Sequence, residues 1–412
     1  MKFLRSIIFP LMWIPISSIA YEVKLEFNQE VEDYCPIVNQ HVNSAVESGG
    51  GVIEFGPGRF PIKCSIRLDS NIAILGSGRG ITTIDLQDSV NAFISRDFTD
   101  FYSGGGDLKD APKYISVKDL TIEGNYLSSS WNSSDSAVVN DSGSGIVLFG
   151  SLYEIDVEIN NIPNHALFLA GFGERGTSDV RSIVRLNGRV SGGAAINFKG
   201  PGDIVFENVI YGLTNLDPIS GLTGEESSAA FVINGLDQYE GNVELGFVHV
   251  YANYFGPGIQ TFGNVRLEGT HIVSESNASG VKLSEDTYGS ISLLSVRNNG
   301  RHHPNYSGSY TAAPGLVIDS QYGFSIGQYT CFRTVITNYD DGWPCAQVNG
   351  NYIKMDILSR NTTSPETGER YEGHGVVLKG DKNYITGRFH NIHDDYSAII
   401  DNGEGNYVNV IE

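Results

Sequence analysis

The chain has 412 residues, with 49 glycines, 14 prolines and a formal net charge of −21 from 27 basic and 48 acidic side chains. So acidic a surface argues against nucleic acid as a partner, because phosphate binding needs a basic face, and it repels an acidic polymer unless a cation or a local basic patch intervenes. The length allows one long solenoid or two ordinary domains, and glycine spread along the whole chain fits a turn-rich all-β protein.

Residues 1–20 read as a signal peptide. Lys2 and Arg5 form a basic start, an apolar run follows from Ile7 to Ile16, and Ser17-Ser18-Ile19-Ala20 is a small-residue cleavage site before Tyr21. A membrane anchor is the alternative reading, but the apolar run is shorter than the ~20 residues that a span needs. No other stretch is long enough to cross a bilayer. The mature chain, 21–412, is expected to be one exported domain, secreted or, in a bacterium, periplasmic. Export makes the four cysteines readable as disulfides. Three pairings are possible, and proximity favours Cys35–Cys64 and Cys331–Cys345; four free buried thiols are the alternative. Asn132, Asn140, Asn277, Asn305 and Asn361 stand in Asn-x-Ser/Thr sequons, which would accept glycans in a eukaryotic host.

Residues 21–33 read as an irregular lead-in, and a short helix from Asp33 to about Ser48 is stopped by Gly49-Gly50-Gly51, so the N-terminal cap spans about 33–51. Strands follow at Val52–Phe55, Ile66–Leu68, Ile72–Leu75 and Ile115–Gly124, with turns around Gly56–Gly58 and Phe60–Ile62. Residues 96–112 and 125–143 are polar insertions, read as surface loops.

A short pattern then recurs every 21 to 35 residues: Gly145-Ile-Val-Leu-Phe-Gly150, Gly280-Val-Lys-Leu-Ser284, Gly315-Leu-Val-Ile-Asp319 and Gly375-Val-Val-Leu-Lys379, with looser copies near 167, 196, 231, 259, 346 and 398. Its period of two marks a strand, and repeats of this size mark stacked units that bury their apolar faces on one another. The pattern predicts an all-β, right-handed parallel β-helix with a short N-terminal capping helix. The first and third apolar positions should face the core. The others form two outward rows: Val147, Phe168, Asn197, Val232, Gln260, Lys282, Val317, Gln347, Val377, Ile399, and Phe149, Ala170, Lys199, Asn234, Phe262, Ser284, Asp319, Asn349, Lys379, Asp401.

The opening helix, Gly-Gly-Gly-Val-Ile-Glu-Phe-Gly-Pro-Gly-Arg-Phe, Ile-Leu-Gly-Ser-Gly and Val-Lys-Asp-Leu-Thr-Ile-Glu-Gly-Asn together resemble the start of the pectin-lyase-like β-helix superfamily, which includes pectate lyases and polygalacturonases. The likeness covers 33–125 by motif and the rest by coil rhythm. It implies the fold, and for chemistry it implies only a broad class, since one fold hosts lyases, hydrolases, epimerases and adhesins.

Neighbouring rungs lie ~4.8 Å apart, so an outward row samples a sugar chain at about every ring. Lys199, Asn234, Lys282, Gln347, Asn349 and Lys379 are the candidate substrate-binding residues on these rows. Long coils are expected before the strands at 196, 231, 316, 346 and 376, on one edge of the sheet. They bring Arg301, His302, His303 and Tyr310, then Asp340, Asp341 and Trp343, then His374; exposed aromatics such as Trp343 and Tyr310 suit sugar stacking. Two chemistries compete. Hydrolysis needs a carboxyl pair. Asp319, Asp340-Asp341 and Gly373-His374-Gly375 are similar to the order in polygalacturonases, although the Asn-Thr-Asp context and the Arg-Ile-Lys are absent and Gly373–Gly375 also reads as a turn leading into a strand. β-Elimination needs a base and a cation that neutralises the uronate carboxylate. Lys282, Arg301, His302 and His303 are then available, and Asp319, Asp340 and Asp341 are the candidate ligands for Ca²⁺; a hydrolase needs no cofactor. The expectation is a secreted enzyme that cleaves glycosidic bonds in an acidic polysaccharide. The alternative is a non-catalytic glycan-binding or surface structural β-helix.

Overall fold

The computed structural model describes residues 21–104, 110–125, 143–171, 181–200, 202–215, 229–235, 241–253, 256–297, 299, 314–332, 344–360, 375–390 and 397–411. Within them the chain forms two long sheets, one of sixteen strands from Tyr21–Leu25 to Tyr407–Ile411 and one of twelve from Ile66–Leu68 to Ile399–Asp401. From Ile146 onward the chain alternates between the two sheets, one strand in each per coil, and every pairing is parallel. Parallel crossovers wind right-handed, so the chain is a right-handed parallel β-helix.

The register follows the alternation in the sequence. Ile146, Leu167, Ile196, Phe231, Ile259, Val281, Leu316, Ala346 and Val376 stand on one another in consecutive rungs, all buried in one continuous core. Each large member contributes about 1.5–3 kcal/mol by leaving water. The recurrent glycine that precedes these strands has a packing cause. A Cβ on Gly280 would sit 1.9 Å from the carbonyl oxygen of Gly315, and one on Gly375 would sit 2.3 Å from both the Ala398 oxygen and the Phe389 ring. Gly375 therefore belongs to the coil template; Gly373 and His374 lie outside the described residues.

The last rung departs from expectation. Ile399 pairs with Val376 and Asp401 with Leu378, so these two occupy the inward rows and the expected outward placement is one residue off. Asp401 is exposed, which makes an aspartate tolerable there.

At the other end, α1 (Cys35–Glu47) buries Val38, Val42 and Ala45 and closes the core. Residues 21–25 are a strand paired with Gly51–Phe55, not an irregular lead-in; the same pairing adds a rung beneath the cap. Gly58–Ile62, read as part of a turn, is likewise a strand, paired with Thr82–Leu86. Cys35–Cys64 ties α1 to the turn after that strand.

The turns between sheets are held by asparagine ladders. The Asn253 N–H donates to Asn277 Oδ1 (2.8 Å) and the Asn277 N–H to Asn299 Oδ1 (3.0 Å). On the other edge the Ile353 N–H donates to Asn383 Oδ1 and the Asn383 N–H to Asn406 Oδ1, both 2.8 Å. The ladder removes one predicted glycan acceptor. Asn277 is fully buried and its Nδ2 donates to the Val250 oxygen and Ser274 Oγ, so its sequon is inaccessible. The other four sequons lie outside the described residues.

Cys331–Cys345 joins a first-sheet strand to the turn before Ala346–Val348. Beside it the Tyr329 hydroxyl donates to the Cys345 oxygen (2.6 Å), and burial pushes that phenol's pKa up. Replacing both Cys331 and Cys345 by alanine is expected to cost about 3 kcal/mol in urea unfolding, as the loop-entropy account gives for a loop of this size. An unchanged midpoint would show that the bridge does not constrain the chain.

Candidate functional site

The outer face of the second sheet divides into a covered half and an open half. In its second to fourth rungs these outward residues are apolar: Ile94, Val147, Phe149, Phe168 and Ala170. An apolar patch left in water is a liability, and the chain folds over it. Residues 98–102, expected in a surface loop, form α2 (Phe98–Tyr102), whose Phe98 and Phe101 are buried on this patch. Phe98 meets the Phe168 ring edge-on at 5.9 Å and Phe101 stacks on Phe149 at 5.4 Å. Lys199 stands at the border, its Nζ 5.9 Å from the Tyr102 ring centre and 5.8 Å from that of Phe168. This lysine is engaged by the cover. Asn197, Val232 and Gln260 on the next rungs are buried as well, while Asn234 is half-buried.

Beyond them the face opens. Lys282, Val317 and Gln347 are paired in consecutive rungs and half-buried. Asp319 continues the second row: its N–H donates to the Leu283 oxygen (2.9 Å), and the Asn349 N–H donates to the Ile318 oxygen (2.9 Å) on the next rung. Asn349 Nδ2 donates to Asp319 Oδ1 at 2.6 Å, and Gln347 Nε2 donates to Asn349 Oδ1 at 3.0 Å. Lys379 is exposed one rung further on, its N–H bonded to the Val348 oxygen. The structure therefore brings Lys282, Asp319, Gln347, Asn349 and Lys379 onto adjacent rungs of one face, and places Lys199 at the edge of the covered half.

Arg301, His302, His303, Tyr310, Asp340, Asp341, Trp343 and His374 lie outside the described residues. The connectivity around them is plain. Segments 300–313, 333–343 and 361–374 each follow a first-sheet strand and precede a second-sheet strand, Leu316–Ile318, Ala346–Val348 or Val376–Leu378. One expected insertion is absent: only a short turn separates Ser182–Ser191 from Ile196–Lys199, and the longer segment, 172–180, follows Leu167–Gly171 at the opposite edge. Among the described residues no three His, Cys, Asp or Glu side chains are grouped to hold a metal. Among the described residues Asp319 and its amide neighbour supply fewer oxygens than the roughly six to eight that Ca²⁺ takes; Asp340 and Asp341 lie outside them.

A second group of ionisable side chains went unread in the sequence. On the outer face of the first sheet Tyr251, Glu275 and Arg297 form one row over three consecutive rungs. His249 Nε2 lies 3.2 Å from Glu275 Oε2 and Arg297 Nε 3.4 Å from the same oxygen, with Tyr251 beside the His249 ring at 5.3 Å. Burial pushes the His249 imidazole below its ordinary 6.5 against the raising effect of Glu275, and the charges of Arg297 and His271 lower it further. The signal was present: Tyr251, Glu275 and Arg297 recur 24 and 22 residues apart, one coil each. A histidine held low when folded takes its proton later than the unfolded chain does, so its stabilisation is complete above about pH 6.5 and is lost as pH falls below that value. The melting temperature of His249→Gln is therefore expected to fall less than that of the wild type between neutral and mildly acidic pH. Parallel curves would show that His249 carries none of the pH dependence.

No protein-family model matches the chain, and no curated protein matches it. Solved structures similar to it include two A-modules of mannuronan C-5 epimerases from Azotobacter vinelandii. That of AlgE6 is 12% identical with a TM-score of 0.31, covering 93% of this chain and 92% of that one. That of AlgE4 is 14% identical with a TM-score of 0.28, covering 93% and 94%. The Agl-KA catalytic domain is 10% identical with a TM-score of 0.39, covering 93% and 67%. Likenesses this distant add nothing to the fold already read from the strand register.

Proposed function

We propose that the protein is an exported polysaccharide-processing enzyme that cleaves glycosidic bonds in a uronate-containing chain, lying along the outer face of the second sheet from Lys282 to Lys379. The observation that carries this reading is the row of adjacent polar rungs, in which one carboxylate, Asp319, is aligned by the amides of Asn349 and Gln347. Two amides on one rung beside a carboxylate on the neighbouring rung can hydrogen-bond sugar hydroxyls, and Lys282 and Lys379 supply positive charge for uronate carboxylates in an otherwise acidic protein. The two disulfides fit an oxidising compartment.

In hydrolysis Asp319 acts as base or nucleophile and Asp340 or Asp341 as the acid. In elimination Asp319 with Asp340 and Asp341 holds Ca²⁺, while Lys282, Arg301, His302, His303 or His374 serves the proton step. A polysaccharide panel separates the routes: unsaturated-product absorbance that EDTA abolishes marks elimination, and new reducing ends without that absorbance mark hydrolysis. The second reading, a non-catalytic glycan-binding surface, is favoured by one observation. Asp319 Oδ1 already accepts the Asn349 amide, so the row also reads as a self-satisfied ladder. Binding without either product on a broad panel selects it.

A further inference from the structure

The edge opposite the long insertions, where second-sheet strands turn back into first-sheet strands, carries a cleft of ≈ 530 Å³ lined by Asn264, Asp286, Tyr288 and Tyr322. Three successive coils build it. Asn264 precedes Val265–Glu275, Asp286 precedes Thr287–Arg297, and Tyr322 precedes Phe324–Phe332; Tyr288 sits on the strand beside Asp286, in register with Arg266.

Further along this edge the side chains satisfy one another. Asn351 Nδ2 donates to Gln321 Oε1 (2.7 Å), Asp381 Oδ1 accepts the Glu404 N–H (2.7 Å), Lys382 Nζ donates to the Tyr352 hydroxyl (3.2 Å), and Tyr384 stacks on Tyr407 at 4.6 Å. The cleft differs. Among the described residues the side chains of Asn264, Asp286, Tyr288 and Tyr322 make no hydrogen bond, ion pair or ring contact, and Tyr322 is 71% exposed. Beside that paired stretch, these four side chains are left without a partner among the described residues at one concave place.

Their chemistry selects a ligand. An amide offers two donors and an acceptor, a carboxylate only acceptors, and each phenol one of each around an apolar ring. A pyranose presents the complement: an apolar C–H face and a rim of hydroxyls that both donate and accept. Asp286 and the adjacent Glu285 would repel a uronate carboxylate. We infer that this cleft binds neutral pyranose units, with Tyr288 and Tyr322 as stacking surfaces and Asn264 and Asp286 bonded to ring hydroxyls. The site is separate from the second-sheet face and holds whether or not that face is catalytic.

The test is titration of the full chain with neutral hexa-oligosaccharides (gluco-, manno- and xylo-configured), an oligogalacturonate and choline, read by calorimetry and ligand-observed NMR. The expected result is binding of at least one neutral oligosaccharide, weakened about tenfold or more by Tyr322→Ala and by Asp286→Asn, with oligogalacturonate binding unaltered by either substitution. Neither side chain has a partner among the described residues, so the variants should keep the wild-type melting temperature. Absence of neutral-sugar binding at millimolar concentration, or binding unchanged in both variants, overturns the inference. So does Tyr322-dependent binding of choline alone, which would make the cleft a cation site.

Discussion

Leu316→Asp is expected to destabilise the protein by roughly 4 kcal/mol or more, while Val317→Asp costs under about 1 kcal/mol. The two residues are neighbours on the same three-residue strand, yet the alternation sends them to opposite environments. Leu316 is wholly buried and stacked between Val281 and Ala346, where a carboxylate has neither water nor partner. Val317 is half-buried on the outward row, between Lys282 and Gln347, where a carboxylate meets solvent and a neighbouring ammonium group. Urea unfolding of both variants measures the difference. Equal losses would mean that the register of the second sheet is shifted by one residue, and every outward assignment with it.

That register was legible because stacked strands, and little else, produce a period-two pattern that repeats at coil length. Ile146, Val281, Leu316 and Val376 needed no structure to be placed inside. The misreadings arise where the coil rule stops applying. The strand at 21–25 pairs with the next segment in the chain and has no repeat of its own. The cover formed by 98–102 is a short aromatic stretch inside a polar insertion, and its signal lay elsewhere, in the apolar outward residues Val147, Phe149 and Phe168 that needed covering. Ile399 and Asp401 slipped because the apolar run Ala398-Ile399-Ile400 fits the alternation in either register. On the candidate site, the rung positions of Lys282, Asp319, Gln347, Asn349 and Lys379 followed from the same alternation. The Asn349–Asp319 bond did not, nor did the His249–Glu275–Arg297 group, because both depend on which side chains meet across coils.

Asp319→Asn is the second substitution expected to have a large effect, this time on turnover. Asp319 is the carboxylate of the outward rows between Ile146 and Lys379; its row neighbours are Ser284 and Asn349, with Lys282 one rung before it and Lys379 two rungs after. Asparagine is nearly isosteric with it, and its Oδ1 can still accept the 2.6 Å hydrogen bond that Asn349 Nδ2 makes to Asp319. The ladder through Gln347 survives, so the melting temperature should hardly move. Only the charge and the capacity to take a proton or bind a cation are lost, which for an acid–base group is worth at least about 100-fold in rate. Turnover of the preferred polysaccharide by wild type and Asp319→Asn, with both melting temperatures recorded, tests the proposed site most directly. The account predicts a fall of about two orders of magnitude or more at unchanged stability; near-wild-type turnover in a folded Asp319→Asn protein would contradict it.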